Sequence, residues 1–416
     1  MDGNTRRRFL RASAMLGLGA TLSGCLRFAG TDDATQEAPP ETTRATQAET
    51  ATPTADDAAQ SDGTDTPTGE TADQPETGTP FPYSLTEQWR QFFEPVGPPL
   101  VTDDRLFVPT RDQGVTAVTE DGEIDWQTVV EAGFVPWHRP TLHDGNLYLS
   151  AFEDNVGLFR VDAESGTVAA SQSVGPSGGP VAATDDGVVV GTDHNEGSGD
   201  AEEHLSGFDR EALSESWSDA ATTQYRGGVG HDGTAIVGFG EGIEARDPTT
   251  GSVQWSTDLY AIDPPIVHDD ALYVVSTVAD TRVLRRFDPT TGEADWTHES
   301  PTDDTVYVRG SNPVFADGSA YLASASSLYS IDAGSGQRQW SVEIGKPIDE
   351  SPAVVGGVVW VTPTGEDRNR ELIGFDATDG TKVYHDTLLA ETVRPLAFGG
   401  SLVVGMGNQI AAFTVE

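Results

Sequence analysis

The sequence predicts an all-β fold: an eight-bladed β-propeller of four-stranded antiparallel blades, closed by pairing its N- and C-terminal strands. Three observations carry this. A unit of about 42 residues recurs from Tyr83 to the end of the chain. Within each unit, short alternating apolar runs are separated by Asp-Gly, Gly-Gly or Thr-Gly turns every eight to twelve residues, and helical periodicity is absent. The first copy supplies only a last strand and the final copy only three, so together they complete one blade. A count of seven blades is the alternative, should the weak copy around Ala170 merge with a neighbour.

The elements follow in chain order. Residues 1–25 read as an export address. The basic run Thr5-Arg6-Arg7-Arg8-Phe9-Leu10-Arg11 holds twin arginines, Arg6 and Arg7, and precedes an Ala/Gly-rich apolar stretch too short to cross a bilayer. The stretch ends in Leu22-Ser23-Gly24-Cys25, the one cysteine of the chain. This segment resembles a twin-arginine signal joined to a lipobox, and the resemblance implies cleavage before Cys25 and a lipid on its thiol. Residues 26–82 are a linker of Thr, Ala, Asp, Glu, Pro, Gln, Ser and Gly. Such a stretch cannot bury enough apolar surface to offset its ordering entropy, and its acids outnumber Arg27 and Arg44, so it repels itself and extends.

Residues 83–416 form the propeller. The unit is clearest at Asp247–Trp255, Asp288–Trp296 and Asp332–Trp340: Asp, three residues, Gly, three residues, Trp. The Gly supplies a positive φ in a short hairpin. Degraded copies carry Ala170 or Tyr384 at the Trp position, and Leu213 at the Gly position. An apolar strand led by Pro or Gly opens each unit, and a tight turn such as His143-Asp144-Gly145 joins it to the second strand.

This repeat resembles that of the quinoproteins, the eight-bladed propellers of dehydrogenases that use pyrroloquinoline quinone (PQQ), and of their non-catalytic relatives such as the BamB-like lipoprotein branch. The resemblance implies that Trp89, Trp126, Trp217, Trp255, Trp296 and Trp340 dock adjacent blades. It also implies what a catalytic member would carry: a vicinal Cys-Cys disulfide and a calcium-binding carboxylate set. With Cys25 alone the disulfide is impossible, and no matching carboxylate cluster can be placed, so neither PQQ nor Ca²⁺ is expected. No catalytic residue and no metal site is expected either. One acidic loop, Asp193–Asp200, has a loose likeness to a calcium loop but lacks its spacing.

Composition limits the partners. Asp and Glu outnumber Lys and Arg by 67 to 24, a formal net charge of −43, and the only lysines are Lys346 and Lys382. Such a surface repels phosphate backbones, which excludes nucleic acid. The acidity runs along the whole propeller and matches proteins of salt-saturated habitats, so an extreme halophile is the expected source. Against this acidic field Arg139, Arg226, Arg309 and Arg394 recur just before the first strand of a blade, with Trp137, Tyr225 and Tyr307 from the same loops. The candidate site is therefore a channel mouth, on the face that carries the long connections, binding an anion or a glycan. The competing expectation is that these arginines pair internally with Asp263, Asp349 and Glu350. The functional expectation is a monomeric, non-catalytic binding or scaffold lipoprotein on the outer face of the cytoplasmic membrane, with a protein or glycan partner. A degenerate PQQ-dependent oxidoreductase and a polysaccharide-binding propeller are the alternatives.

Overall fold

The computed structural model describes residues 81–416, apart from 112–113, 129–137, 151–156, 175–178, 194–202, 222, 279–280, 300–311, 365–369 and 389–392. The signal segment with Arg6, Arg7 and Cys25, the linker to residue 80, Trp137, Tyr307, Arg309 and the acidic loop beyond Asp193 lie outside the described residues. No described residue is helical.

The chain forms eight antiparallel sheets. Seven are continuous in sequence, spanning residues 100–128, 141–173, 182–220, 225–258, 260–299, 314–343 and 353–388, here blades 1 to 7. Blade 8 is composite: Val393–Phe398, Ser401–Met406 and Gln409–Val415 are completed by Leu85–Phe92 as the outer strand. Ser84 and Glu416 exchange two backbone hydrogen bonds beyond the last pair, 2.9 and 3.0 Å. The weak copy does not merge with a neighbour: Val168–Ser173 pairs with Gly157–Asp162 as the fourth strand of blade 2.

The core is divided into layers between blades rather than gathered in one centre. Each of eight apolar clusters draws on two successive sheets. Phe107, Val115 and Ala117 of blade 1 meet Leu147, Leu149 and Val161 of blade 2, for example. The layer of Leu106, Val108 and Val118 with Phe398, Val403 and Ile410 joins blade 1 to blade 8 and closes the ring. Closure leaves no blade without a partner on either face, so every sheet buries both sides.

The repeated turn explains how adjacent blades lock. The Asp288 carboxylate accepts the Thr290 and Thr291 amides (2.7 and 3.0 Å), and the Gly292 amide donates back to the Asp288 carbonyl at 2.9 Å. Gly292 has φ +70°, where a side chain is disfavoured. It has a second reason to be glycine: a Cβ there would stand 2.5 Å from the Trp255 ring of the preceding blade. The same ring-on-glycine contact pairs Trp89 with Gly122, Trp126 with Gly166, Trp217 with Gly251, Trp296 with Gly336 and Trp340 with Gly380. Each indole Nε1–H also donates to a carbonyl of the next blade's turn: Glu120, Ala163, Pro248, Pro289, Ala333 and Ala377, at 2.7 to 3.3 Å. A buried indole with its N–H satisfied anchors a seam by packing and by hydrogen bonding together.

Two seams depart from this, and in both the neighbour departs too. Blade 2 has Ala170, and blade 3 answers with Leu213 in the glycine position, fully buried at φ +54°. The Tyr148 hydroxyl donates to the Arg210 carbonyl (3.3 Å), the acceptor that an indole uses elsewhere. Blade 7 has Tyr384, and blade 8 has no turn there, because the chain ends stand in its place. Tyr384 packs against the same buried cluster as Tyr83, Leu85 and Val415, and edge-on to Trp360 at 5.2 Å.

Candidate functional site

The first strand of each blade is an edge strand, and first strands of successive blades touch from blade 2 through blade 5 and from blade 6 through blade 8, so these strands lie at the centre of the ring. One face carries the Asp-Gly turns and the Asp-to-Trp turns. The other carries the connections from second to third strand and from fourth strand to next blade, and Arg139, Arg226 and Arg394 belong to that face.

Arg139 and Arg394 hold the same register. Each precedes a proline, and the residue after that proline pairs with the second strand, Thr141 with Tyr148 and Leu396 with Val403; the first strand of blade 8 extends back through Arg394 to Val393. Their surroundings differ. Arg394 Nε donates to the Glu350 carboxylate of blade 7 at 2.7 Å, with a second, longer contact from Nη2 at 3.4 Å. Arg139 has no ion pair among the described residues. It is solvent-exposed, yet protein encloses it closely enough that desolvation lowers its guanidinium pKa. Both hold together for a side chain on the wall of an opening.

Arg226 takes a third course. It lies at a register shift between Tyr225 and Gly227. Its Nη2 donates to the Tyr260 hydroxyl (3.2 Å), and its guanidinium carbon is 5.8 Å from that ring's centroid. Its buried Nε has no hydrogen-bond partner. Tyr260 itself remains 42% exposed.

Two expectations change. Tyr225 is not a mouth residue: it is 4% exposed, its hydroxyl donates to the Pro180 carbonyl at 2.6 Å, and its ring meets Phe239 edge-on. Gly191 makes this possible, since a Cβ there would collide with the ring. Burial raises the phenol pKa. The internal acids also pair differently. Among the described residues, Glu350 is the one of these acids that takes a mouth arginine. Asp263 pairs with Arg282 (2.9 Å), and Asp349 with Arg370 (3.0 Å). The first is a buried ion pair, its side chains 3% and 9% exposed, and Arg282 also donates across the seam to the Ala323 carbonyl at 3.3 Å. Burial lowers the Arg282 pKa while Asp263 opposes the shift. Nothing in the sequence around Arg282 marks it as Asp263's partner, because the contact depends on how the second hairpin of blade 5 folds over its inner strand.

Among the described residues, no group of three or more His, Cys, Asp or Glu side chains is arranged to hold a metal ion.

Eight antiparallel blades, with a tryptophan over the next blade's turn glycine at six of the eight seams, define a quinoprotein-like β-propeller. The chain belongs to the family described as outer membrane protein assembly factor BamB, whose PQQ-type repeat model matches residues 84–200, 131–263, 201–348 and 324–416. Solved structures share the fold. BamB from Moraxella catarrhalis matches with a TM-score of 0.60 and 16% identity over 80% of this chain and 98% of that one. The quinohemoprotein alcohol dehydrogenase of Comamonas testosteroni gives 0.54 and 15%, over 79% and 76%. A computationally designed protein, Ika8, gives 0.57 and 12%, over 79% and 98%. No curated protein matches the sequence.

Proposed function

We propose that this chain is a lipid-anchored, non-catalytic scaffold on the outer face of the cytoplasmic membrane, whose propeller presents its face of long connections to a protein partner. One observation carries the reading: the single cysteine of the sequence, Cys25, closes a twin-arginine signal and lipobox ahead of a BamB-family propeller. A lipid on Cys25 and the acidic linker 26–82 would hold the propeller off the bilayer as a monomer. The family's description, an assembly factor for outer membrane proteins, supports a propeller that organises other proteins at a membrane. The mouth arginines, with Trp137, Tyr307 and Arg309 from the adjoining segments, are the candidate contacts. A glycan partner would use the same face.

Fractionation tests the anchor. The wild-type chain is expected in the membrane fraction and to take up a labelled lipid, while Cys25→Ser is expected in the soluble fraction without label. A Cys25→Ser chain that stays in the membrane would sink the reading. Absorbance in the visible range after adding PQQ and Ca²⁺ tests the non-catalytic half. A bound quinone spectrum would favour the oxidoreductase reading, towards which the likeness to the Comamonas dehydrogenase points.

A further inference from the structure

Among the described residues, the mouth arginines sort into one that is neutralised, one that is held by an aromatic and one that is neither. Arg394 is neutralised by Glu350. Arg226 is held against Tyr260. Arg139 has neither kind of contact. The repeat itself shows what is missing. Glu350 lies two residues before Pro352, which leads the first strand of blade 7; in blade 1 the residue two before Pro99 is Gly97. The contact that neutralises Arg394 from the preceding blade thus has no counterpart for Arg139, at the same register and on the same side.

We propose that Arg139 forms the centre of a binding site for a small oxyanion, a sulfate, phosphate or carboxylate group, at the mouth of the channel. A guanidinium presents paired N–H donors in a fixed fork that matches two oxygens of one such group. The net charge of −43 opposes an approaching anion at long range. In concentrated salt the screening length falls to about 3 Å, so that field is lost while a direct guanidinium–oxyanion contact survives. An unneutralised cation on a channel wall is thus suited to a ligand that enters the mouth rather than to the chain's own carboxylates. The inference does not depend on the lipid anchor or on the protein partner.

Calorimetric titration of the full chain in molar sodium chloride tests it, with sodium sulfate and sodium succinate as separate probes. One saturable site is expected. Arg139→Gln should weaken it at least tenfold, and Arg139→Lys several-fold, since lysine keeps the charge but loses the fork. Arg394→Gln should leave it unchanged, because that guanidinium is already occupied. Tighter sulfate would assign the site to inorganic oxyanions, and tighter succinate to carboxylate ligands. No saturable binding of either probe would overturn the proposal, and so would an Arg139→Gln chain that binds as wild type. Should Arg139→Gln fail to give a wild-type thermal transition, Arg139→Lys decides: unchanged affinity in a folded Arg139→Lys chain would overturn it equally.

Discussion

Leu213 of blade 3 occupies the turn position where six other blades carry glycine, and it packs in the same layer as Ala170 of blade 2, which stands where six others carry tryptophan. The two departures compensate. Without an indole over the turn there is room for a side chain, and without that side chain the seam would hold a void. The turn keeps its form, with the Leu213 amide donating to the Asp209 carbonyl at 3.0 Å. Its backbone pays for the exchange with a positive φ of 54° in a non-glycine residue.

That pairing can be transplanted. Trp255→Ala should cost about 3–5 kcal/mol by opening a cavity, and Gly292→Leu about 2–4 kcal/mol by collision and backbone strain. Together they should cost less than the sum, by about 1–3 kcal/mol, because the leucine enters the space the indole leaves. Chemical denaturation of both single variants and the double variant measures the coupling. Strict additivity would show that the seam tolerates the two changes independently.

The buried pair of Arg282 and Asp263 should respond asymmetrically. Removing one partner, as in Asp263→Asn or Arg282→Met, leaves the other charge or its donors uncompensated and should cost about 3–5 kcal/mol. Removing both in a Asp263→Asn, Arg282→Met chain should cost less than the worse single change. Denaturant midpoints report this directly.

His298 should make stability fall on mild acidification. Its Nδ1 faces the Gly336 carbonyl of blade 6 at 3.1 Å, and its buried Nε2 has no hydrogen-bond partner. Burial lowers its pKa; Arg338 adds to the shift, while the Gly336 bond and Glu299 oppose it. Because the folded pKa is the lower one, the contribution is complete above the ordinary histidine value of about 6.5 and is lost as the pH falls towards the folded pKa. Urea midpoints between pH 7.5 and pH 5 should therefore decline, and His298→Asn should flatten part of that slope.

Blade 5 turns from its first to its second strand through Asp269 and Asp270, at φ +47° and +55°, where blades 2, 4 and 6 use Asp-Gly. Asp270→Gly should raise stability by about 0.5–1 kcal/mol by removing a disfavoured conformation. A lower thermal midpoint in the variant would count against this account.

The sequence made the architecture readable because the repeat couples two positions a fixed distance apart, the turn glycine and the tryptophan, and both survive in most copies. The role of the glycine was only half readable. Hairpin geometry predicts its positive φ, but the indole above Gly292 comes from the preceding blade, and no local pattern records that neighbour. The exchange at Ala170 and Leu213 was legible as two degraded copies, not as one repaired seam. At the mouth, the arginines could be located by register. Whether each found an acid depended on residues of adjoining blades, so Arg394 and Arg139 look alike in sequence and differ in the structure. Tyr225 misled for a related reason: Gly191, in another blade, opens the space that draws it inward.

The composite blade has a kinetic consequence. Leu85–Phe92 is among the first propeller strands to be synthesised, but its partner Gln409–Val415 comes from the far end of the same sequence. Until that end emerges, the early strand has nothing to pair with and blades 1 and 7 each leave an apolar face uncovered. Closing so long a loop is entropically slow, and the intermediate is prone to associate with other chains. Ring closure is therefore a late, all-or-none event, and a chain interrupted within its last two strands would be left as an open arc.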